Sequence, residues 1–213
     1  MASIIRSVAT VKREYRSTIR RGDAPQLVIA AATRLFATKG YLATSIEDIA
    51  AEAGVARPTV FSAVGPKPVI LRAVVDQAIA GDDAAVPVAE RDWWREAVDE
   101  PDAATAIRRL ARTMTGIGQR IALIARALET AATTDADSAE VWARYQTQRR
   151  TGLREFVEAL GAKHATRWDV DTLTDTLWML QPSAYLRLVI DGGWSPERYE
   201  VWLADVLTRV FLE

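Results

Sequence analysis

The sequence predicts an all-α fold. Three observations support this: apolar residues recur three or four positions apart along most of the chain, breaker segments such as TTDAD and DGGWS separate the helical patterns, and no alternating pattern indicates a strand ladder. With 213 residues, 49% of them hydrophobic and 26% charged, the chain is long enough for one large or two modest globular domains. We expect about ten helices and no internal repeat.

The residue inventory argues against several classes of protein. The chain has no cysteine, which excludes disulfides, thiol redox switches and cysteine-based zinc sites and favours a reducing cytoplasm. No apolar stretch approaches the ~18 residues of a membrane span, so no membrane partner is expected. The only histidine, His164, lies in a polar connection, where it cannot build a typical metal site. We found no phosphate loop or paired carboxylates, and we therefore expect neither an enzyme nor a cofactor.

Two short helical patterns follow one another before residue 67. This stretch reads IEDIAAEAGVARPTVFSAVGPK and starts at Ile46. Ser45 is placed to cap the first helix, and Asp48, three residues later, completes a capping box. Gly54 ends that helix because glycine takes positive φ without steric cost. Pro58 suits the first turn of the second helix, predicted over 57–64.

Two helices in this order can place the second in the DNA major groove and brace it with the first. The segment resembles the amino-terminal domain of the TetR family of transcriptional regulators. The resemblance extends upstream through the helix over 27–38 and the phrase KGYLATS, and downstream to the start of a further helix. It implies a regulator, most often a repressor, that binds a double-stranded DNA operator. A helical hairpin that only packs is the alternative.

The resemblance also implies which residues contact DNA. Thr44 or Ser45 would bind phosphate, Arg57 and Thr59 would face base edges, and Phe61 would press on the sugar-phosphate backbone. Lys67 would hold a second phosphate. The full set of expected DNA-binding residues is Thr44, Ser45, Arg57, Pro58, Thr59, Phe61, Ser62 and Lys67.

The sequence departs from the common family pattern at a few positions of the second helix. Ala56 stands where a serine cap is usual, Ser62 and Ala63 replace a frequent polar pair, and Val64 replaces a phenylalanine. The first two departures remove side-chain donors. An alternative function is therefore a helical small-molecule-binding or interaction module that has lost DNA binding.

The charge distribution supports a division of the chain into three parts: a basic extension over 1–23, a helix-turn-helix DNA-binding domain over 24–72, and a helical ligand-binding and dimerisation domain over 73–213. Residues 1–72 carry 11 Lys and Arg against 5 Asp and Glu, a net charge of +6, whereas the remainder carries 16 against 23, a net −7. A basic end attracts phosphate, and an acidic body repels nucleic acid.

The basic extension allows three interpretations. It holds six Lys and Arg against two acidic residues, so an arm along the DNA backbone or in the minor groove is favoured, because arginine suits narrow A·T-rich grooves. Its apolar residues also fall three or four apart, as in an amphipathic helix: Ile4, Val8, Val11, Tyr15 and Ile19. A transit peptide has a similar composition.

Helical patterns continue to the end of the chain. They cover 67–80, 93–98, 103–117, 121–132, 138–160, 171–190 and 196–212. The last two are rich in large apolar residues, which need either their own core or a second subunit. The phrase GWSPERYEVWL resembles the start of the family's last helix, which implies a homodimer through the last two helices. Recognition helices roughly 34–36 Å apart would read a palindromic operator.

The family resemblance finally implies a small-molecule effector pocket in the body. Its candidate lining residues are Met114, Ile117, Ile121, Ile124, Leu128, Trp142, Tyr145, Trp178 and Tyr185. An aromatic and aliphatic stripe of this kind is more often plain core, which is the alternative. Four arginines nearby are expected to be solvated or salt-bridged: Arg108, Arg109, Arg112 and Arg120.

Overall fold

The structure is a computed structural model that describes residues 23–81, 91–180 and 182–212. These ranges contain helices, turns and no β-strand, which confirms the all-α prediction. The extension over 1–22, with its three interpretations, lies outside the described residues. The helices are α1 (Ala24–Thr38), α2 (Ile46–Ala53), α3 (Arg57–Ala63), α4 (Lys67–Ala80), α5 (Asp92–Val98), α6 (Ala103–Ala132), α7 (Ala136–Lys163), α8 (Val170–Leu180), α9 (Ser183–Tyr185) and α10 (Pro196–Leu212).

Helices α1, α2 and α3 form a compact head that α4 connects to the body. Val28 and Phe36 of α1, Ile49 of α2 and Val60 of α3 are almost fully buried in one apolar cluster. Phe36 also meets the ring of Tyr41 edge to face at 5.3 Å. Burial of such side chains is the main favourable term in folding.

The local signals in the sequence account for the geometry of the helix-turn-helix. The Ser45 hydroxyl accepts a hydrogen bond from the Asp48 amide, and the Asp48 carboxylate accepts one from the Ser45 amide. The predicted capping box is therefore confirmed. Gly54 follows α2 with φ of 69°, as expected for a left-handed cap, and α3 begins at Arg57 as predicted. These details fix the angle between α2 and α3 through the backbone.

The apolar cluster of the head continues into the body. It includes Ile70 and Val74 of α4 together with Ile121 and Leu128 of α6 and Tyr145 of α7. A second cluster joins α5 to α10 and is built around large side chains such as Trp94, Phe156, Tyr199 and Phe211. The division at residue 72 predicted from the sequence falls inside α4, which packs on both the head and the body.

Helix α6 is continuous, whereas the sequence predicted two helices over 103–117 and 121–132. Gly116 and Gly118 lie next to the predicted break, but an interior glycine costs a helix only about 1 kcal/mol relative to alanine. Gly118 is buried beneath Tyr185, and an added Cβ would lie 2.7 Å from the Tyr185 Cγ. The glycine therefore permits close packing of the α9 segment on α6.

The predicted helix over 171–190 is interrupted. Helix α8 ends at Leu180, α9 begins at Ser183, and the chain continues as a π-helical turn, Leu186–Asp191. Pro182 explains the break, because proline has no amide hydrogen and its ring clashes with the carbonyl four residues earlier. Trp178 and Tyr185 therefore belong to separate helices. The predicted bounds of α4 and α10 are confirmed.

No helix in the described ranges is long and apolar enough to span a membrane.

The two glycines of α6 give a matched pair of stability predictions. We expect Gly118→Ala to lower the free energy of unfolding by about 1 to 3 kcal/mol, because the new methyl group would overlap Tyr185. A Cβ at position 116 would contact only the Arg120 Nη1, at 3.6 Å. Gly116→Ala should therefore raise the free energy of unfolding by about 0.5 to 1 kcal/mol. Urea denaturation at one fixed protein concentration measures both, and equal effects of the two substitutions would contradict the packing role of Gly118.

Candidate nucleic-acid interface

Helix α3 presents most of its surface to solvent. Val60 is fully buried and anchors the helix on the head. Arg57, Pro58, Phe61 and Ser62 are exposed, and Thr59 is half-buried. The predicted DNA-binding residues of α3 therefore share an accessible surface around one buried anchor. Ala56 precedes the helix without a side-chain cap, as its lack of a polar group requires.

Arg57 is held in position by two neighbours. Its Nε lies 2.7 Å from the Glu47 Oε1 of α2, and its guanidinium lies 5.5 Å from the ring centroid of Phe61. The pair with Glu47 is exposed, and exposed pairs contribute only about 0 to 1 kcal/mol. A stronger anionic or hydrogen-bonding partner can therefore replace Glu47 at low energetic cost.

All three acidic side chains between residues 24 and 72 are paired with basic ones. Besides the Glu47 pair, Arg34 lies 2.9 Å from Glu52, and Lys39 lies 3.2 Å from Asp48. This segment contains only five Lys and Arg, so most of its positive charge is compensated internally. The larger basic surplus lies in the extension that precedes it.

The two candidate phosphate ligands before α2 differ in accessibility. Thr44 is buried, and its hydroxyl donates to the Gly40 carbonyl at 2.8 Å, so its side chain cannot face a phosphate in this conformation. Ser45 is exposed and caps α2. Hydrogen bonds from the Ser45 amide and hydroxyl, aided by Lys39, lower the pKa of Asp48. Ser45 thus remains the candidate phosphate ligand, and Thr44 has a structural role.

Lys67 lies at the junction of the head and the body. Its Nζ is 4.1 Å from the ring centroid of Tyr41, and burial lowers its pKa, with the carboxylate of Asp135 acting in the opposite direction. Burial and the carboxylates of Asp135 and Asp137 raise the pKa of Tyr41 to about 12. Lys67, which is expected to bind a phosphate, is thus half-buried against the head, near the start of α7.

Arg120 fixes the far end of α4, a role that the sequence did not reveal. Its Nε donates to the Ala78 carbonyl at 2.8 Å and its Nη2 to the Ile79 carbonyl at 3.4 Å. These carbonyls belong to the last turn of α4, where carbonyl groups have no amide donor within the helix. Arg120 therefore ties α4 to α6. No periodicity or motif indicates such a contact, because its partners are backbone atoms.

Three of the four arginines that the sequence analysis singled out form ion pairs, as predicted. Arg108 lies 3.9 Å from Asp102, Arg109 lies 3.2 Å from Glu96, and Arg112 lies 4.0 Å from Glu200.

His164 is half-buried directly after α7. Among the described residues, no three His, Cys, Asp or Glu side chains are grouped to hold a metal ion.

The predicted pocket residues are divided between the two apolar clusters. Most of them belong to the cluster shared with the head: Ile117, Ile121, Ile124, Leu128, Trp142 and Tyr145. Met114, Trp178 and Tyr185 belong to the second cluster. Their helical spacing predicted burial for the majority but could not show which cluster each one joins. As a single lining, the set remains a hypothesis.

Comparison with known proteins agrees with this geometry. Residues 28–77, which extend from α1 into α4, match the family described as bacterial regulatory proteins, tetR family. No curated protein sequence matches the chain.

Several solved structures share the fold over most of the chain. A protein from Rhodococcus sp., described as a TetR-family transcriptional regulator, has a TM-score of 0.66 at 16% identity and covers 89% of this chain and 97% of its own. A transcriptional regulator from Saccharomonospora viridis in complex with choline has a TM-score of 0.66 at 19% identity, covering 90% and 98%. HlyIIR, a hemolysin II transcriptional regulator, has a TM-score of 0.58 at 16% identity, covering 87% and 99%.

The exposed, braced helix α3, the family match over residues 28–77 and the shared all-α fold lead to one conclusion. Residues 28–77 are similar to bacterial regulatory proteins of the tetR family, and the chain as a whole shares the all-α fold of solved transcriptional regulators.

Proposed function

We propose that the protein acts as a homodimeric repressor that binds a palindromic operator and is released by a small-molecule effector. The observation that carries this proposal is the surface of α3, where Arg57 and Phe61 are exposed around the buried anchor Val60. Arginine at the start of a recognition helix can bind guanine through two hydrogen bonds. We propose regulation without catalysis or a cofactor, in the cytoplasm.

Exposed apolar side chains near the carboxyl end support dimerisation through the last helices. Met179 of α8 is 65% exposed, Ile190 of the π-helical turn is 42% exposed, and Val201 of α10 is 72% exposed. If these side chains form one contiguous patch, that patch is typical of a surface that a partner covers. A twofold interface would also set the spacing of two α3 helices on the operator.

The contacts of α4 support a mechanism in which an effector shifts a conformational equilibrium. Arg120 holds the last turn of α4, and Arg72 of α4 lies 3.5 Å from Glu140 of α7. A change in the packing of α6 or α7 would therefore displace α4 and the head with it. An effector weakens operator binding only by its differential affinity for the two arrangements. The choline complex of the neighbour from Saccharomonospora viridis supports a small-molecule effector as a class.

A second candidate function is a helical binding or interaction module without DNA affinity. Two observations favour it: α3 has no side-chain cap at Ala56, and the acidic residues of the head compensate its basic ones. Salt-dependent, sequence-preferring DNA binding by the full chain would exclude this candidate. Its absence at low ionic strength would exclude the repressor.

Selection of bound sequences from a random DNA pool tests the proposed function. We expect the full chain to recover an inverted repeat. Arg57→Ala should reduce discrimination at one base pair of each half-site by about 1 to 3 kcal/mol, while Lys67→Ala should weaken binding to all sequences about equally. Fluorescence anisotropy on the selected and on scrambled duplexes, at several salt concentrations, measures both effects. Equal loss on the two duplexes for Arg57→Ala would contradict base reading by this residue.

The ion pair between Arg57 and Glu47 gives a separate prediction. We expect Glu47→Gln to tighten operator binding by about two- to fivefold. The Arg57 guanidinium would then no longer have to break its ion pair with a carboxylate before it binds DNA. Glu52→Gln is the matched control, since it makes the same charge change on α2 but releases Arg34. The same assay compares the two variants, with helicity checked by circular dichroism. A gain of the same size in both would assign the effect to net charge alone.

The exposed residues at the carboxyl end predict the effect of a charge in the dimer interface. We expect Val201→Glu to shift the chain from dimer to monomer and to weaken operator binding at least tenfold. Leu42→Glu, at a head position with 53% exposure, should leave the dimer intact. Sedimentation velocity measures the oligomeric state of each. A stable dimer of the Val201 variant would rule out this surface.

A further inference from the structure

Helices α7 and α8 enclose a group of buried polar atoms that the DNA-binding function does not use. The two helices run antiparallel, as two exposed ion pairs between them show: Arg150 with Asp175 and Arg154 with Asp171. The next turn along this contact brings residues 146 and 149 of α7 to the part of α8 that contains Trp178.

Four polar atoms of these two helices are buried and have no hydrogen-bond partner in the protein. They are the Gln146 Oε1 and the Arg149 Nε of α7, and the Thr174 Oγ1 and the Trp178 Nε1 of α8. A buried polar atom without a partner costs about 1 to 3 kcal/mol, so several in one contact are unusual in a native protein. Three of the four groups are donors.

A purely structural role explains only part of this arrangement. Pro182 cannot donate to the Trp178 carbonyl, four residues earlier, and the Arg149 Nη1 donates to that carbonyl at 2.9 Å instead. Arg149 therefore caps the interrupted end of α8. The cap uses one of its nitrogens and accounts for neither its buried Nε nor the indole N–H of Trp178.

The charge of Arg149 indicates the sign of a ligand. Its guanidinium lies 5.7 Å from the ring centroid of Tyr145 and 5.4 Å from that of Trp178, so it occupies the cation position beside both rings. Within the described ranges no carboxylate forms an ion pair with it, whereas its exposed neighbour Arg150 has Asp175 at 2.6 Å. Burial also lowers the pKa of Arg149. A cation would be repelled here, and an anion would supply the missing partner.

We propose that the contact between α7 and α8 binds the carboxylate group of an organic anion. Arg149 would supply the charge, the Trp178 indole and the Thr174 hydroxyl would donate hydrogen bonds, and Tyr145 would contact the apolar part. The Gln146 oxygen would accept a hydrogen bond from a hydroxyl or amide group of the ligand. This inference rests on the proposed function in one respect, since it gives the effector of that regulator a chemical class.

The position of the site connects it to the head. Tyr145 belongs to the cluster that includes α4, whereas Trp178 packs on the second cluster. An anion between Tyr145 and Trp178 would bind the guanidinium of Arg149, which also caps the end of α8. Its binding would therefore alter the packing of α7 against α8 next to the α4 contacts.

Titration calorimetry with simple probes tests the inference. The probes are benzoate and hexanoate, each compared with its neutral isostere, benzamide or hexanamide. We expect the full chain to bind at least one carboxylate and to bind its amide at least tenfold more weakly. Arg149→Gln should weaken carboxylate binding at least tenfold. Arg150→Gln removes the adjacent exposed guanidinium of the same helix and should leave the affinity unchanged.

Two further variants keep the test decisive if Arg149→Gln does not fold. Thr174→Val removes one donor with little change in shape, and Trp178→Phe removes the indole donor but keeps an aromatic ring. Each should weaken benzoate or hexanoate binding several-fold while circular dichroism stays unchanged. No carboxylate binding, equal binding of carboxylate and amide, or equal affinity in all variants would overturn the inference. Operator binding is measured on the same samples. DNA binding without carboxylate binding contradicts only this site, and carboxylate binding without DNA binding contradicts only the repressor.

Discussion

The burial of α4 on two sides is the interaction on which the rest of the structure depends. Its apolar face, with Ile70, Leu71 and Val74, closes the core of the head and at the same time packs against α6 and α7. A helix that shares its apolar surface between two units cannot move relative to one without disturbing the other, because protein interiors are close-packed. The orientation of the head is thus coupled to the packing of the body.

Polar contacts at the two ends of α4 strengthen this coupling. Arg120 supplies hydrogen bonds to the last turn, and Lys67 at the first turn lies over Tyr41 and near Asp135. The capping contact is directional, so it is sensitive to small shifts of α6. Repacking of the body can therefore reach α3 through a single rigid helix, without a change of secondary structure.

Three exposed ion pairs organise the polar surface of the head. Arg34, Lys39 and Arg57 are each paired with a carboxylate on α2, and all three pairs are exposed. Such pairs organise the side chains at little energetic gain, and salt weakens them. Under the proposed function, a head with so little uncompensated charge would depend mainly on base contacts for its affinity, and Arg57 is the first candidate for them.

The sequence by itself determined the class of the fold, the helix-turn-helix and its caps, because these features depend on residues close together in the chain. Ser45 with Asp48, the positive φ of Gly54 and Pro58 in the first turn of α3 all follow from local spacing and residue type. The tertiary structure alone decided the continuity of α6 through Gly118, since only the approach of Tyr185 explains the glycine. It also decided the burial of Thr44 and the capping of α8 by Arg149. Those depend on backbone carbonyls and rings distant in the chain, and no local pattern encodes such contacts.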